Sequence, residues 1–373
     1  MIEFCNLQRC NESCSAEIQE ALRRTADSGR YLRGTQTQAF EEEYARYIGT
    51  QHCVGCGNGL DALTLIFRAY IELGLMRQGD EVIVPANTYI ASMLAVSRCG
   101  LMPVLVEPSI DTLQIDDTRI EEAITERTRA IMIVHLYGRC AHTKRIERIC
   151  REHRLKLVED NAQAHGCRYH EGETFRRTGA LGSAAAHSFY PTKNIGALGD
   201  AGAVTTDDDA LADVVRKIAN YGMSQRYVFD YVGINSRLDE LQAAVLRVKL
   251  RHIESQNAQR QATAREYIER VHNPFITLPS EEYRQNSVFH IFPVLCKRRD
   301  DLRRWLADGG VQTDVHYPSP PHKQRCYPEW HELSLPITEQ IHREEVSLPI
   351  NPTLTMTEVD TIIDLLNAFS PQE

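Results

Sequence analysis

Between about residues 50 and 220, short apolar runs alternate with amphipathic stretches, and this alternation limits the fold more than any other feature. The apolar runs have the length of strands and include EVIVP (81–85), MPVLVE (102–107), RAIMIVH (129–135), LKLVED (155–160), AAAHSFY (184–190) and AGAVTT (201–206). Apolar residues recur at helical spacing between them, as in residues 58–73. Strands that alternate with helices predict an α/β fold with a mainly parallel sheet covered by helices on both faces. Ligands of such sheets bind at strand ends.

The C-terminal third of the chain differs in character, which predicts a second and smaller domain. A long, charged helix is expected over about residues 237–269. The region that follows is more polar and is punctuated by prolines, with a predicted strand SVFHIFPVL (287–295). We therefore expect a large domain with an N-terminal segment over residues 1–240. A linking helix and a small α+β domain are expected over residues 241–373.

Charge and hydropathy exclude several classes of partner. The formal net charge of −9 argues against an extended phosphate-binding surface, so nucleic acid is not an expected partner. No apolar run reaches the roughly 18 residues of a membrane-spanning helix. The N-terminus also lacks the basic and apolar segments of a signal peptide. We expect a cytoplasmic protein without a membrane partner.

The cysteine pattern indicates a reducing compartment. The chain has 11 cysteines, an odd number with scattered spacings. Cys53 and Cys56 form one CxxC pair, but no second pair lies at the spacing of zinc ligands, so no metal is expected. Free cysteines usually behave as small buried apolar residues, and they are typical of the cytoplasm.

Three features at predicted strand ends carry candidate chemistry, and each has a plainer alternative. Residues 57–60, Gly-Asn-Gly-Leu, join a strand to a helix, where backbone N–H groups suit a phosphate. The alternative is that this turn only connects the two elements and binds no ligand. Asp160 ends an apolar strand and either faces a cleft or caps a helix. Lys193 follows a strand of small residues and lies near Pro191 and three glycines. Burial there would lower its pKa and make it a nucleophile, and flexibility of a glycine-rich loop is the alternative.

Three motifs, in a fixed order, resemble a known family. They are EDNAQAHG (159–166), SFYPTKNIGALGDAGAV (188–204) and GINSRLDELQAAVLRVKL (233–250). Together they look like the DegT/StrS family of sugar aminotransferases, and the resemblance extends over about residues 25–325. It implies pyridoxal 5'-phosphate (PLP) as cofactor. It also implies PLP fold type I, with a mainly parallel seven-stranded sheet between helices.

The resemblance assigns roles around the ring of PLP. Lys193 is the residue that holds PLP as a Schiff base and then acts as general base and acid. Asp160 binds the pyridinium nitrogen, which keeps the ring an electron sink. Gln163 is expected to donate a hydrogen bond to the phenolic oxygen. Tyr89, in VPANTYIAS, occupies the position of an aromatic residue that stacks on the ring.

The same resemblance assigns the phosphate of PLP to a loop and to a second subunit. The amides of Gly59 and Leu60 and the hydroxyl of Ser188 are expected to hold the phosphate. Leu60 replaces a threonine that is common at this position, so backbone contacts must serve without a side-chain hydroxyl. Asn235, in GINSR, resembles an asparagine that reaches the phosphate from the neighbouring subunit. This implies a homodimer with shared active sites.

Substrate contacts are predicted at two further places. Arg237 either grips a carboxylate of the amino donor through a bidentate pair or caps the long helix. His316 and Tyr317, in HYPSPPH, resemble the segment near the sugar site. The alternative is a proline-rich turn, and two histidines without a third ligand argue against zinc. No role is assigned to Arg139, His165 and His187. The two histidines could lie beside the cofactor or pack in the core.

These assignments predict a ping-pong aminotransferase of deoxyamino sugar biosynthesis. An amino acid, expected to be L-glutamate, would donate its amino group, and a nucleotide-linked keto-sugar would receive it. The NSRLDELQAA and HYP segments most resemble members that act on dTDP-3-keto-6-deoxyhexoses.

Three other functions are considered beside this one. A PLP-dependent sugar dehydratase of the same family has a histidine where Lys193 stands here. A non-catalytic PLP-binding regulatory protein would not need the set of Lys193, Asp160 and Gln163. A nicotinamide oxidoreductase is suggested only by the strand–helix pattern, and its glycine fingerprint is incomplete in this chain.

Overall fold

The computed structural model describes residues 1–280, 283–284 and 286–371. Its strands are β1 (His52–Cys56), β2 (Glu81–Pro85), β3 (Met102–Val106), β4 (Thr128–Val134), β5 (Lys156–Asp160), β6 (Arg168–Glu171), β7 (Thr174–Arg177), β8 (Ala184–Ser188), β9 (Gly202–Thr206), β10 (Met223–Gln225), β11 (Val228–Phe229), β12 (Phe292–Leu295) and β13 (Glu345–Leu348). Its helices are α1 (Leu7–Glu12), α2 (Ser15–Asp27), α3 (Thr35–Ile48), α4 (Gly59–Glu72), α5 (Ile90–Arg98), α6 (Lys144–His153), α7 (Asp209–Ile218), α8 (Glu240–Arg270), α9 (Arg299–Asp308), α10 (Pro336–Glu344) and α11 (Met356–Ala368).

A seven-stranded sheet in the order β1-β9-β8-β5-β4-β2-β3 forms the centre of the molecule. Strand β9 runs antiparallel to both of its neighbours, and the other neighbouring pairs are parallel. The predicted α/β fold with a mainly parallel sheet is therefore confirmed. Three two-stranded pairs, β6-β7, β10-β11 and β12-β13, lie outside it.

Strand β4 shows why the sheet needs a helical layer on each face. Ala130 and Met132 belong to the core that α4, α5 and α7 complete on one side. Ile131 and Ile133 belong to a second core that α6 completes on the other side. Because side chains alternate across a strand, an apolar run such as this one must be covered twice. Each fully buried large apolar side chain contributes roughly 1.5–3 kcal/mol.

The predicted strand over 287–295 is wrong in its first half, because β12 begins at Phe292. The preceding residues pair with the turn after β4 instead of with a strand. The Val288 N–H donates to the Gly138 carbonyl at 2.9 Å, and the Ile291 N–H donates to the Tyr137 carbonyl at 3.2 Å. This pairing ties the C-terminal part of the chain to the edge of the sheet where its parallel strands end.

Helix α8, predicted over about 237–269, is observed with 31 residues and leads from the sheet to a second core. That core is built by β12, β13, α9 and α11 together with the end of α8. The N-terminus also joins this part, since the Ile2 N–H donates to the Gly310 carbonyl at 2.7 Å. The division of the chain at residue 240 stays a prediction.

Within the described part of the chain, no helix combines the length and apolar character that crossing a membrane requires. Every cysteine of the sequence is present as a free thiol, including the buried Cys53 and Cys56. No cluster of three or more His, Cys, Asp or Glu side chains in the described residues is arranged to hold a metal ion.

The carboxylate of Glu159 anchors the end of β5 from inside the protein. It is fully buried and accepts hydrogen bonds from His135 Nε2 at 2.8 Å and from the N–H groups of Gly179, Leu181 and Gly182 at 2.7, 2.8 and 2.7 Å. His135 Nδ1 accepts from the Ala141 N–H, so its proton is on Nε2. Burial alone would raise the pKa of Glu159, but the His135 and backbone hydrogen bonds hold it below 4.5. The group is therefore a carboxylate in the folded protein.

We expect Glu159→Gln to lower the free energy of unfolding by about 3–5 kcal/mol, because the amide turns an acceptor into a donor against buried N–H groups. Urea unfolding at pH 7, followed by circular dichroism, measures the change. Asp27→Asn is the matched control, since the Asp27 side chain is 65% exposed, and it should change stability by less than about 0.5 kcal/mol.

The pH dependence gives a second check of the same carboxylate. A lowered folded pKa means that the stability from Glu159 is present above the ordinary pKa of 4.5 and is lost as the pH falls through the folded value. The difference in stability between wild type and Glu159→Gln should therefore shrink in acid. A difference that does not change with pH would contradict this account.

Candidate active site

The C-terminal ends of the parallel strands open into a cavity of about 680 Å³. Loops and helix N-termini line it, together with residues from the C-terminal part of the chain. The residues predicted from the sequence that line this cavity are Gly59, Leu60, Tyr89, Asp160, Gln163, Ser188, Lys193, His316 and Tyr317. The fold thus gathers residues that are widely separated along the chain into one place.

The turn between β1 and α4 supplies backbone donors to the cavity. Asn58 begins α4, and its Oδ1 accepts a hydrogen bond from the Asp61 N–H at 2.8 Å. The N–H groups of Gly59 and Leu60 have no acceptor among the described residues. The first N–H groups of a helix lack partners inside the helix and lie at its positive end. They therefore favour an anion such as the phosphate of PLP.

Ser188, at the end of β8, packs directly against this turn. A Cβ atom on Gly59 would lie 2.6 Å from Ser188 Cβ and 3.1 Å from its Oγ, so only glycine fits at position 59 without a shift. The close approach brings the Ser188 hydroxyl beside the two free amides. This donor set fits a phosphate group, as the resemblance implies.

Asp160 lies at the end of β5 and is 7% exposed. Its Oδ2 accepts from Ser92 Oγ at 2.9 Å, and its Oδ1 accepts from the Ala162 N–H at 3.2 Å. Burial raises the pKa of Asp160, against the effect of these hydrogen bonds and of the Lys193 charge. A buried carboxylate with a raised pKa gains from a cationic N–H partner. A pyridinium nitrogen is such a partner, so this part of the site also fits PLP.

Lys193 lies in the same cavity with its amine free. It enters no hydrogen bond or ion pair with the described side chains. Burial lowers the pKa of Lys193 to about 8, although the Asp160 charge opposes the shift. An amine with this pKa is partly neutral near neutral pH and is able to act as a nucleophile or as a base.

Gln163 and two tyrosines form one wall of the cavity. Gln163 Oε1 accepts from the Tyr137 N–H at 2.6 Å, and its Nε2 donates to the Tyr317 hydroxyl at 3.0 Å. The rings of Tyr317 and Tyr89 have their centroids 5.1 Å apart. Tyr89 is 53% exposed, so one large aromatic surface is available for stacking. The amide of Gln163 keeps a second N–H for a ligand.

His316 is held by a short polar chain that ends on a buried acid. Its Nδ1 lies 2.8 Å from Ser347 Oγ, and its backbone N–H donates to Glu345 Oε2 at 2.7 Å. The Ser347 hydroxyl in turn bonds to Glu345 Oε1. Burial lowers the pKa of His316 to about 4 and raises the pKa of Glu345 to about 8. His316 is therefore neutral near pH 7.

Two predicted residues are not in this cavity of the same chain. Asn235 is exposed, and Arg237 lines a separate cavity of about 290 Å³ that also contains Arg30, Arg33 and Arg216. Arg237 Nη1 donates to Asn220 Oδ1 at 3.3 Å. The alternative that Arg237 caps the long helix is wrong, because the N-cap residue of α8 is Asp239. Roles for Asn235 and Arg237 require a second subunit and stay predictions.

The two histidines without an assigned role are packing residues in the core. His187 Nδ1 lies 2.9 Å from the Tyr44 hydroxyl, and its Nε2 lies 2.8 Å from Thr205 Oγ1. His165 is fully buried and stacks on Phe189 with ring centroids 5.3 Å apart. Neither residue lines the cavity of Lys193.

Several residues that line the cavity were not predicted from the sequence. They are Phe4, Cys5, Arg260, His290 and Asp314. They come from the N-terminal segment, from α8 and from the C-terminal part of the chain, where no motif marks a site. Only the return of these segments to the sheet places them beside Lys193.

Comparison with known proteins identifies relatives over the whole chain. The model of the DegT/DnrJ/EryC1/StrS aminotransferase family matches residues 12–367. The dTDP-3-amino-3,6-dideoxy-alpha-D-galactopyranose transaminase of Aneurinibacillus thermoaerophilus is 49% identical over 369 residues, which are 99% of this chain and 99% of the relative. The dTDP-3-amino-3,4,6-trideoxy-alpha-D-glucose transaminase of Streptomyces venezuelae is 45% identical over 375 residues, with 99% and 96% covered. The crystal structure of S. venezuelae DesV in complex with a ketimine intermediate is similar with a TM-score of 0.93 and 46% identity, covering 98% of this chain and 97% of that one.

We expect Gly59→Ala to weaken PLP uptake by about tenfold or more, because overpacking against Ser188 costs about 1–3 kcal/mol. Uptake is measured by titrating cofactor-free protein with PLP. Gly57→Ala, in the same turn, is the control, since its Cβ would come no closer than 3.2 Å to Ser236 Oγ and 3.5 Å to Asp61 Oδ2. Equal PLP affinities in the two variants would contradict the phosphate assignment.

We expect Lys193 of cofactor-free protein to react with an amine-labelling reagent increasingly as the pH rises through about 8, because burial lowers its pKa to that value. Mass spectrometry of the labelled peptides measures the rate. Lys217 is the reference within the chain, because its hydrogen bond to Asp213 raises its pKa. Asp160→Asn should move the Lys193 midpoint lower still, and a midpoint at or above that of Lys217 would contradict the assignment.

Proposed function

The chain belongs to the DegT/DnrJ/EryC1/StrS aminotransferase family, and we propose that it moves the amino group of L-glutamate to C3 of a dTDP-linked 3-keto-6-deoxyhexose. Its reaction class is that of a PLP-dependent sugar aminotransferase. The observation that carries the proposal is the free amine of Lys193, which shares one cavity with Asp160 and the phosphate-binding turn. Two relatives named for a dTDP-linked sugar with an amino group at position 3 support the choice of substrate.

Each residue of the proposed site has a task that follows from its surroundings. When bound, PLP supplies an electron sink for the negative charge left as the donor carbon loses its proton. Lys193 would hold the cofactor through its amine and would be released when the amino donor takes its place. The released amine would then move the proton, a role that burial favours because it lowers the pKa of Lys193. Asp160 keeps the ring nitrogen protonated, because its buried carboxylate needs a positive partner.

The remaining polar groups orient the two ligands. Gly59, Leu60 and Ser188 bind the phosphate, and Gln163 donates to the ring oxygen from a side chain fixed by Tyr137. Tyr89 stacks on the ring. His316 and Tyr317 contact the keto-sugar, which occupies the cavity after the keto acid has left in a ping-pong cycle.

We further propose that the protein is a homodimer in which Asn235 and Arg237 act in the neighbouring subunit. Asn235 is exposed, and Arg237 shares its cavity with three more arginines. Such a cluster of cations suits the phosphates or carboxylates of a ligand held partly by a partner. The free thiols support a reducing, cytoplasmic compartment.

We expect Lys193→Ala to abolish the glutamate half-reaction, with a loss of at least about 100-fold, because both the covalent anchor and the proton carrier are removed. The visible spectrum of the PLP-loaded protein is recorded before and after glutamate is added. In the wild type, the band of bound PLP should give way to that of pyridoxamine phosphate. Lys217→Ala, at a half-buried lysine of α7 that lies outside the cavity, should behave as the wild type.

The same assay separates the competing functions and substrates. A protein that takes up no PLP would contradict the proposal as a whole. A protein that binds PLP but reacts with no amino acid would instead match the non-catalytic regulatory alternative. The protein loaded with pyridoxamine phosphate is then mixed with dTDP-, UDP- and GDP-linked keto-sugars, and the amination rates are compared. Preference for a UDP- or GDP-linked sugar would contradict the dTDP assignment and leave the reaction class unchanged.

A further inference from the structure

Arg260 of α8 is a buried cation in the Lys193 cavity that no carboxylate of the described residues neutralises. The residue is 7% exposed and lines the cavity beside Ile350. Its Nη1 donates to the Ile350 carbonyl at 3.4 Å, a long hydrogen bond, and its Nε has no partner. Among the residues that the structure describes, no Asp or Glu forms an ion pair with it.

A guanidinium in this position has lost hydrating water without gaining a counter-charge among the described residues. Arginine stays protonated in proteins, so the charge cannot be relieved by loss of a proton. Removing a charge from water is costly unless a counter-charge and hydrogen bonds replace the water. The same loss of water on burial lowers the pKa of Arg260. An anion that enters the cavity would supply the missing counter-charge.

The position of Arg260 relative to Lys193 follows from its helix. Asn257 lies one turn earlier on α8, and its Oδ1 accepts from Asn194 Nδ2 at 2.8 Å. Residues three apart lie on the same helix face, so Arg260 is beside the segment that carries Lys193. His290 confirms this closeness, because it bonds to Asn194 at 3.1 Å and both the Lys193 and the Arg260 charges lower its pKa, after burial.

A thiol of the N-terminal segment interacts electrostatically with Arg260. A hydrogen bond from Cys5 lowers the pKa of Cys10 to about 6, and the Arg260 and Lys249 charges contribute while burial opposes them. A thiolate is a weak hydrogen-bond acceptor. It therefore leaves the planar fork of donors of Arg260 available for an oxyanion, which a carboxylate matches with two parallel hydrogen bonds.

We propose that Arg260 binds a carboxylate of the amino-acid donor and of the keto acid formed from it. The inference rests on the proposed aminotransferase function and names the group that recognises the donor within one chain. Arg237, the candidate from the sequence, lies in a different cavity of that chain. The phosphate of PLP has its own donors in Gly59, Leu60 and Ser188, so it does not need Arg260.

The test uses PLP-loaded protein and glutarate, a dicarboxylate without an amino group that cannot react. Arg260→Gln is expected to weaken glutarate binding, measured by calorimetry, roughly 10- to 100-fold, as removal of a charge-assisted hydrogen bond does. Arg260→Lys should restore part of the affinity. Arg265→Gln, at an exposed arginine of the same helix, and Cys10→Ala should bind glutarate as the wild type does. PLP content, read from absorbance, should be equal in all of them.

Kinetics show which carboxylate is bound. In the glutamate half-reaction, Arg260→Gln should raise the glutamate concentration that gives half of the maximal rate. The factor should equal the factor by which the same variant weakens glutarate binding. Glutamine lacks the side-chain carboxylate and isoglutamine lacks the α-carboxylate. The donor whose reaction is least changed by Arg260→Gln is the one that lacks the group bound by Arg260.

Other outcomes would overturn the inference. Unchanged glutarate affinity in Arg260→Gln would do so, as would an equal loss in Cys10→Ala, which would place the effect in the packing of the N-terminal segment. Weaker inhibition by dTDP with unchanged glutarate binding would assign Arg260 to the sugar nucleotide. If the wild type accepts no amino acid, the proposed function is wrong, and a loss of glutarate binding confined to the Arg260 variants would still support the carboxylate site.

Discussion

The position of the active site depends on the hydrogen bonds that the buried carboxylate of Glu159 accepts. It binds His135, which follows β4, and the backbone of residues 179–182, which lead into β8. It thereby fixes the end of β5 between its two neighbours in the sheet. Because side chains alternate along a strand, the next residue, Asp160, points the other way and lines the cavity. One strand end thus carries two buried carboxylates, one that anchors the sheet and one that lines the cavity.

Burial sets the charge balance inside this cavity. It shifts the pKa of Asp160 upward and that of Lys193 downward, and each charge partly counters the shift of the other. Lys193 therefore becomes a usable nucleophile without a dedicated base beside it. Arg260 adds a positive charge that no described carboxylate neutralises. Asp160, Asp200 and Asp314 line the same cavity, so Arg260 gives it a local cationic position in a chain whose net charge is −9.

Much of the fold followed from the period of the apolar residues, and much of the site followed from the motifs. Strands β2, β4 and β5 are apolar runs buried on both faces, so their sequence pattern is strong. The apolar run 287–295 wrongly predicted one continuous strand. Its first half bonds to the turn at Gly138 instead of pairing with another strand. Helices α2 and α3 carry few apolar residues, since they cover the outside of the sheet and α8, and their sequence pattern is correspondingly weak.

By itself, the sequence determined the class of fold and the motif residues Asp160, Gln163 and Lys193, because apolar periodicity and local motifs act over a few neighbouring residues. Only the tertiary structure decided which of these residues share a cavity. It brought His316, Tyr317 and Arg260 to the strand ends, and it left Asn235 and Arg237 elsewhere on the same chain. The physical reason is that burial and charge compensation depend on segments far apart in sequence. No local pattern records that Arg260 would be buried in the cavity of Lys193 without a carboxylate partner in the described part of the chain.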